Sequence, residues 1–195
     1  NFVTYLNSAG TAASGFEYDW SYMSYSLAAN YELSDDMAVF GSISKGSRVN
    51  ADRLGDGGFY SNGTAADGSV ENELTSFEFG AKVDEDDYSL FATVFYVETD
   101  DVNSESTNAS GGARVRGYES TGLELEASTK IGEIDLRGSM TWTDAEIVSS
   151  NDATIIGNTP RRQADFVWSL SPSYQFGDHY VGATLIGTTD SYGQD

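Results

Sequence analysis

Seven of the ten basic residues fall in or beside segments rich in Gly, Ser, Asn and Asp: Lys45, Arg48, Arg53, Arg114, Arg116, Arg161 and Arg162. Arginine forks present paired N–H donors that match carboxylate and phosphate oxygens, so the arginines would suit an anionic ligand or lipopolysaccharide phosphate. The plainer reading is that they offset nearby acids such as Asp52, Asp56, Glu119 and Asp152. Phe59 and Tyr60, in a Gly-rich segment, have rings able to stack on a sugar or an aromatic chelator. Packing of that segment against itself is equally open.

The acids raise other possibilities. Glu124 and Glu126 share one face of a strand about 7 Å apart, and paired carboxylates can hydrolyse glycosides. Lining a polar interior is the simpler role. The run Asp100-Asp101-Val102-Asn103-Ser104-Glu105 has oxygens for Ca²⁺ but lacks the glycine and spacing of a calcium hand, so it reads as an exposed acidic loop. His179, the one histidine, adjoins a turn with no ligand pattern around it. With no nucleophile elbow, phosphate loop or zinc motif, neither an enzyme nor a cofactor or metal site is expected.

Composition narrows the class. The 195 residues carry a formal charge of −21 with no cysteine, which argues against nucleic acid as a partner. At 39% hydrophobic and 13% aromatic, with 21 glycines, the chain resembles a β-rich protein rather than a disordered acidic one. No apolar run approaches the ~20 residues of a transmembrane helix. The first sixteen and last six residues read as loop, as if both ends were cuts within a longer polypeptide.

The elements that must position these groups are hairpins. In Gly117–Thr143 the Gly132-Glu133 step suits a type II′ turn. Ile131 then faces Ile134, Thr129 faces Leu136, Ala127 faces Gly138, Leu125 faces Met140 and Leu123 faces Trp142. The other face pairs Lys130 with Asp135, Ser128 with Arg137, Glu126 with Ser139 and Glu124 with Thr141, so the strand charges fall on one side.

Three more turns repeat the sorting: Ser34–Asp36, Asp84–Asp87 and Gly177-Asp178. They predict Tyr31 opposite Val39, Ala81 opposite Leu90, Phe79 opposite Ala92, and Tyr174 opposite Val181. Longer segments at about 47–70, 100–117 and 144–161 alternate with these turns, the rhythm of an up-and-down meander. The expected strands are about 10 to 13 residues long. Ten residues tilted by ~45° rise roughly 24 Å, the height of an outer-membrane barrel's apolar band. Tyr31 and Tyr174 near the short turns, and Tyr25, Tyr96, Trp142 and Trp168 nearer the long loops, suit aromatic girdles at the lipid boundaries. The expected architecture is all-β: about eight long antiparallel strands forming a segment of a transmembrane barrel, an open curved sheet if alone. Glu78, Lys82, Glu124, Glu126, Arg137 and Asp165 would face its lumen. Pro172 is discordant, because it lacks a ladder donor inside a strand.

Several stretches resemble the barrel of a TonB-dependent outer-membrane receptor. They are YELSDDMAVFGSISKGSR (31–48), ENELTSFEFGAKV (71–83) with YSLFATVFYVETDD (88–101), GYESTGLELEAS (117–128) and GNTPRRQADFVWSLSPSY (157–174). The resemblance covers most of the chain in consistent order. It implies residues 1–195 of a partial barrel domain whose plug lies elsewhere, in a bacterial outer membrane. It also implies import of a scarce nutrient (ferric siderophore, cobalamin or oligosaccharide) with energy relayed by TonB. The implied partners are the lipid bilayer, the plug, TonB and a small-molecule cargo. A self-contained eight-strand barrel and a soluble β-sandwich that binds glycans are the alternatives; the first requires a closed cylinder, the second two packed sheets.

Overall fold

The computed structural model describes residues 21–49, 71–107 and 113–193. They form one antiparallel sheet of β1 (Tyr25–Ser34), β2 (Met37–Val49), β3 (Glu71–Asp84), β4 (Tyr88–Thr107), β5 (Ala113–Ile131), β6 (Ile134–Ser150), β7 (Phe166–Phe176), β8 (His179–Gly182) and β9 (Leu185–Thr188). Each strand to β8 pairs with the next, and β9 also pairs with β7. Because β8 and β9 share one place beside β7, the sheet is a meander of eight positions. β1 has no pairing with β8 or β9, so the sheet is open rather than a closed eight-strand cylinder.

Turn chemistry sets the register. Gly132 has φ 63° and Gly177 has φ 59°, while the residues after them stay at negative φ, as a type II′ turn requires. Above Gly132 the pairs run from Ile131 with Ile134 to Leu123 with Trp142, as expected. Above Gly177, Tyr174 meets Val181, and Leu170 meets Leu185. Tyr31 meets Val39 across the first turn, with a bulge at Leu33.

The acidic turn departs from expectation. Glu85 N donates to Tyr88 O at 2.8 Å, closing the hairpin around Asp86 and Asp87 alone. Ala81 therefore meets Ala92, and Phe79 meets Val94, two residues from the expected register. A slip of two leaves every side chain on its expected face.

Pro172 has a clear account. Ala183 N donates to Pro172 O at 3.1 Å, so the backbone groups of residue 172 point toward β8. Towards β6, Pro172 occupies a non-hydrogen-bonded position opposite Leu136, where a donor is not needed, and that ladder is unbroken. The missing N–H falls wholly on the other side. There the strand is interrupted at Ala183 and Thr184, between β8 and β9.

Among the described residues no second layer covers the sheet. Among the described residues the buried apolar side chains are Ala38, Ala145, Ile147 and Ile155, whereas Leu27 is 70% and Phe79 59% exposed. Leu90, Leu170, Trp142 and Trp168 are exposed too. Two sheets packed on a dry centre are excluded, and with them the glycan-binding sandwich.

The strands outrun the expected length: β4, β5 and β6 have 20, 19 and 17 residues. Much of the segment expected as a loop at 100–117 is strand, and Asp100–Glu105 lies in β4 rather than in an acidic loop. Twenty residues span ~66 Å, well beyond a ~25 Å apolar band. The apolar face consequently does carry charge beyond its girdle. Glu98 faces Glu119, and Glu119 faces Glu146. Three carboxylates in register on neighbouring strands end the apolar character of this face there.

Candidate ligand-facing wall

The face opposite the leucines bears the polar groups, in rows that cross the strands. Its outermost row, on the long-connection side, runs Arg48, Asn72, Asp101, Arg116 and Ser150. Asn72 Nδ2 donates to Asp101 Oδ1 at 2.7 Å. Arg116 is only 7% exposed, set into the wall, whereas Arg48 is exposed. Deeper in, Glu78 accepts from Ser42 Oγ at 3.2 Å and Ser76 Oγ at 3.4 Å. The next rows place Glu124 between Thr93 and Thr141, and align Lys82, Phe91, Glu126, Ser139 and Ser169. Arg137 stands between Ser128 and Ser171. Asp165, which precedes β7, accepts from Thr143 N at 2.8 Å through its carbonyl. The register thus puts Glu78, Lys82, Glu124, Glu126 and Arg137 on one face, with Asp165 just before the paired residues of β7.

The wall also carries aromatic rings that a search for charged groups passes over. Phe40 lies against Gly80, its direct partner on β3, and Phe95 against Gly122 on β5. Each ring fills the space a side chain at the glycine would take. Phe91 stands between Lys82 and Glu126 and is 38% exposed. A phenylalanine in a polar row opposite a glycine is a readable signal once the register is known.

The β6–β7 connection folds back over the end of β6. Asp152 caps a short 3-10 turn, Ala153–Ile155, by accepting from Thr154 N at 3.1 Å. Gly157 N donates to Ile147 O at 2.9 Å, and Ile147 N donates to Asn158 O at 3.0 Å. Ile147 is fully buried beneath this turn. Beyond it Arg161 and Arg162 are exposed on the connection. Arg162 has φ 61°, a left-handed conformation uncommon outside glycine, and its N–H donates to Tyr192 O at 2.8 Å.

The arginines are therefore not gathered into one cluster. Arg48 and Arg116 belong to the outermost polar row, and Arg161 and Arg162 to the β6–β7 connection. Arg114 lies in β5 opposite Asn103, with its side chain outside the described residues. Arg53, Phe59 and Tyr60 also lie outside them. Lys45 sits on the apolar face and pairs with Glu73 at 2.9 Å, the balancing role expected of a loop-end cation.

Comparison with known proteins agrees with this architecture. The family model "TonB dependent receptor-like, beta-barrel" matches residues 2–195. The ferric-catecholate import receptor Fiu from K12 E. coli is similar at a TM-score of 0.63 and 19% identity, over 84% of this chain and 24% of that one. The FrpB iron transporter from Neisseria meningitidis is similar at a TM-score of 0.60 and 14% identity, over 82% of this chain and 25% of that one. No curated protein matches. The chain spans about a quarter of the length of either structure. An open meander of long strands, oily on one face and polar on the other, together with a family match over nearly its whole length, makes this chain a member of the TonB-dependent receptor β-barrel family of the bacterial outer membrane.

Proposed function

We propose that the chain forms part of the wall of an outer-membrane receptor that binds a scarce nutrient and imports it with energy relayed by TonB. The apolar face meets lipid, and the polar face lines the lumen with Glu78, Lys82, Glu124, Glu126, Arg137 and Asp165. The observation that carries this reading is the lack of a second layer over either face among the described residues: hydrocarbon on one side and a wet interior on the other are the surroundings that leave such a sheet stable.

At the long-connection end Arg48, Arg53, Phe59, Tyr60, Arg114, Arg161 and Arg162 meet cargo. Arg116, set into the same wall beside Asp101, meets cargo with them. Cargo classes are ferric siderophores, cobalamin and oligosaccharides. The relatives that import iron make a ferric siderophore the first to try. Movement of cargo falls to a plug that contacts TonB.

The test is uptake of a radioiron-loaded catecholate siderophore by cells that depend on the full-length receptor. Uptake should require both the receptor and TonB, and R161A/R162A should weaken it about tenfold, as expected when two exposed charge contacts of about 0.7 kcal/mol each are lost. Uptake unchanged by removal of the receptor, with cobalamin and oligosaccharide equally unaffected, would overturn the proposal.

A further inference from the structure

Near the short-turn end of the polar face, a hollow of about 440 Å³ is bordered by Arg137, Glu126, Phe91 and five serines. We infer that Arg137 and the hydroxyls around it form a seat for a carboxylate that comes from outside these strands. The inference rests on the reading of this face as the lumen.

The argument is one of donors. Ser89 and Ser128 Oγ are 2.7 Å apart, Ser139 and Ser169 Oγ also 2.7 Å, and Ser171 Oγ and Thr184 Oγ1 3.0 Å. Each pair needs one O–H for its bond and leaves the second hydroxyl proton free, and five of these six hydroxyls border the hollow. Arg137 adds a planar fork of N–H donors from an exposed side chain. Among the described residues the one ion pair is Lys45 with Glu73, so neither Glu126 nor Asp135, on the flanking rows, reaches this guanidinium.

Donors thus converge beside Glu126, the one carboxylate on the hollow's border, without an ion pair between it and Arg137, in a chain with a net charge of −21. The planar fork matches the two oxygens of a carboxylate. A dianionic phosphate would meet twice the repulsion from Glu126 and Asp135 that a singly charged carboxylate meets. Two sources can supply the group: cargo passing through the lumen, or an Asp or Glu from another segment of the receptor packed inside it.

The experiment uses full-length receptor in detergent at low salt, as wild type, R137Q and S139A, with the singly charged carboxylate benzoate as probe. Benzoate affinity is read by calorimetry, and Tm is followed at pH 7 and pH 3. If cargo is the source, wild type binds benzoate, R137Q weakens it about tenfold or more and S139A weakens it less. If the chain supplies the group, benzoate does not bind, and R137Q lowers Tm by a few degrees at pH 7 but not at pH 3, where the partner is protonated. Benzoate binding indifferent to R137Q, or no benzoate binding with Tm unchanged or lowered equally at both pH values, overturns the inference. Those last results in a receptor that still imports nutrient remove this seat and leave the transport reading standing. Loss of all import with the R137Q effects intact does the reverse.

Discussion

The Phe95 ring on β4 occupies the place a side chain on Gly122 of β5 would take. A Cβ at residue 122 would collide with that ring and stand 2.5 Å from the Trp142 carbonyl oxygen. Two strands are locked in register by a ring and an empty space. Phe40 with Gly80 repeats the device on the same face, and Trp168 with Gly187 on the other.

Gly122→Val in the full-length receptor should therefore cost about 1–3 kcal/mol, from overpacking against ring and backbone together. Phe95→Ala should recover part of that loss in the double variant. Reversible unfolding in denaturant measures the cycle; additive effects would mean that the two residues do not share the space.

Pro172 is expected to be the reason the eighth strand position is split. Pro172→Val restores an N–H facing Ala183, adding one ladder hydrogen bond worth about 0.5–1.5 kcal/mol. Hydrogen exchange should slow at Ala183, Thr184 and their neighbours. Unchanged exchange there would place the cause of the break elsewhere.

The carboxylate row Glu98, Glu119 and Glu146 makes a prediction about charge. Like charges directly opposed across strands are unfavourable, so Glu119→Gln should stabilise the receptor by about 0.2–1 kcal/mol at neutral pH and low salt. The gain should shrink in high salt, which screens the repulsion between exposed charges. A stabilisation undiminished at high salt would point to packing instead.

What could be read from the residues depended on how local the determining physics was. The Gly132 and Gly177 turns demand positive φ at one residue, and that one residue sets a whole hairpin. The run Asp84-Glu85-Asp86-Asp87 has no such marker, so its centre was displaced and the β3–β4 register with it. Faces survived because alternation has period two. The full lengths of β4, β5 and β6 were not legible, because Gly, Ser and Asp beyond the lipid boundary resemble a loop whether or not they pair. For the same reason Arg116 reads as a loop cation although it is set in a strand. The hollow around Arg137 needs serines from β4, β5, β6 and β7 brought together, which no single stretch of sequence reveals.

Arginine substitutions should divide the two faces energetically. Leu125→Arg and Met140→Arg, at mid-height on the apolar face, are expected to cost ~2–4 kcal/mol each. Ser128→Arg, on the other face, should cost far less. Refolding of the receptor into lipid vesicles at graded denaturant gives the three values.

The most direct measurement uses the absence of native cysteine in this chain. Spin labels at L125C, M140C, S128C and S139C, in the full-length receptor in lipid vesicles, report which relaxing agent reaches each position. Positions 125 and 140 should respond to oxygen dissolved in lipid, and 128 and 139 to a water-soluble nickel chelate or to neither where the lumen is filled. Equal oxygen access at all four, or the reverse order, would contradict the assignment of lipid and water to the two faces of this sheet.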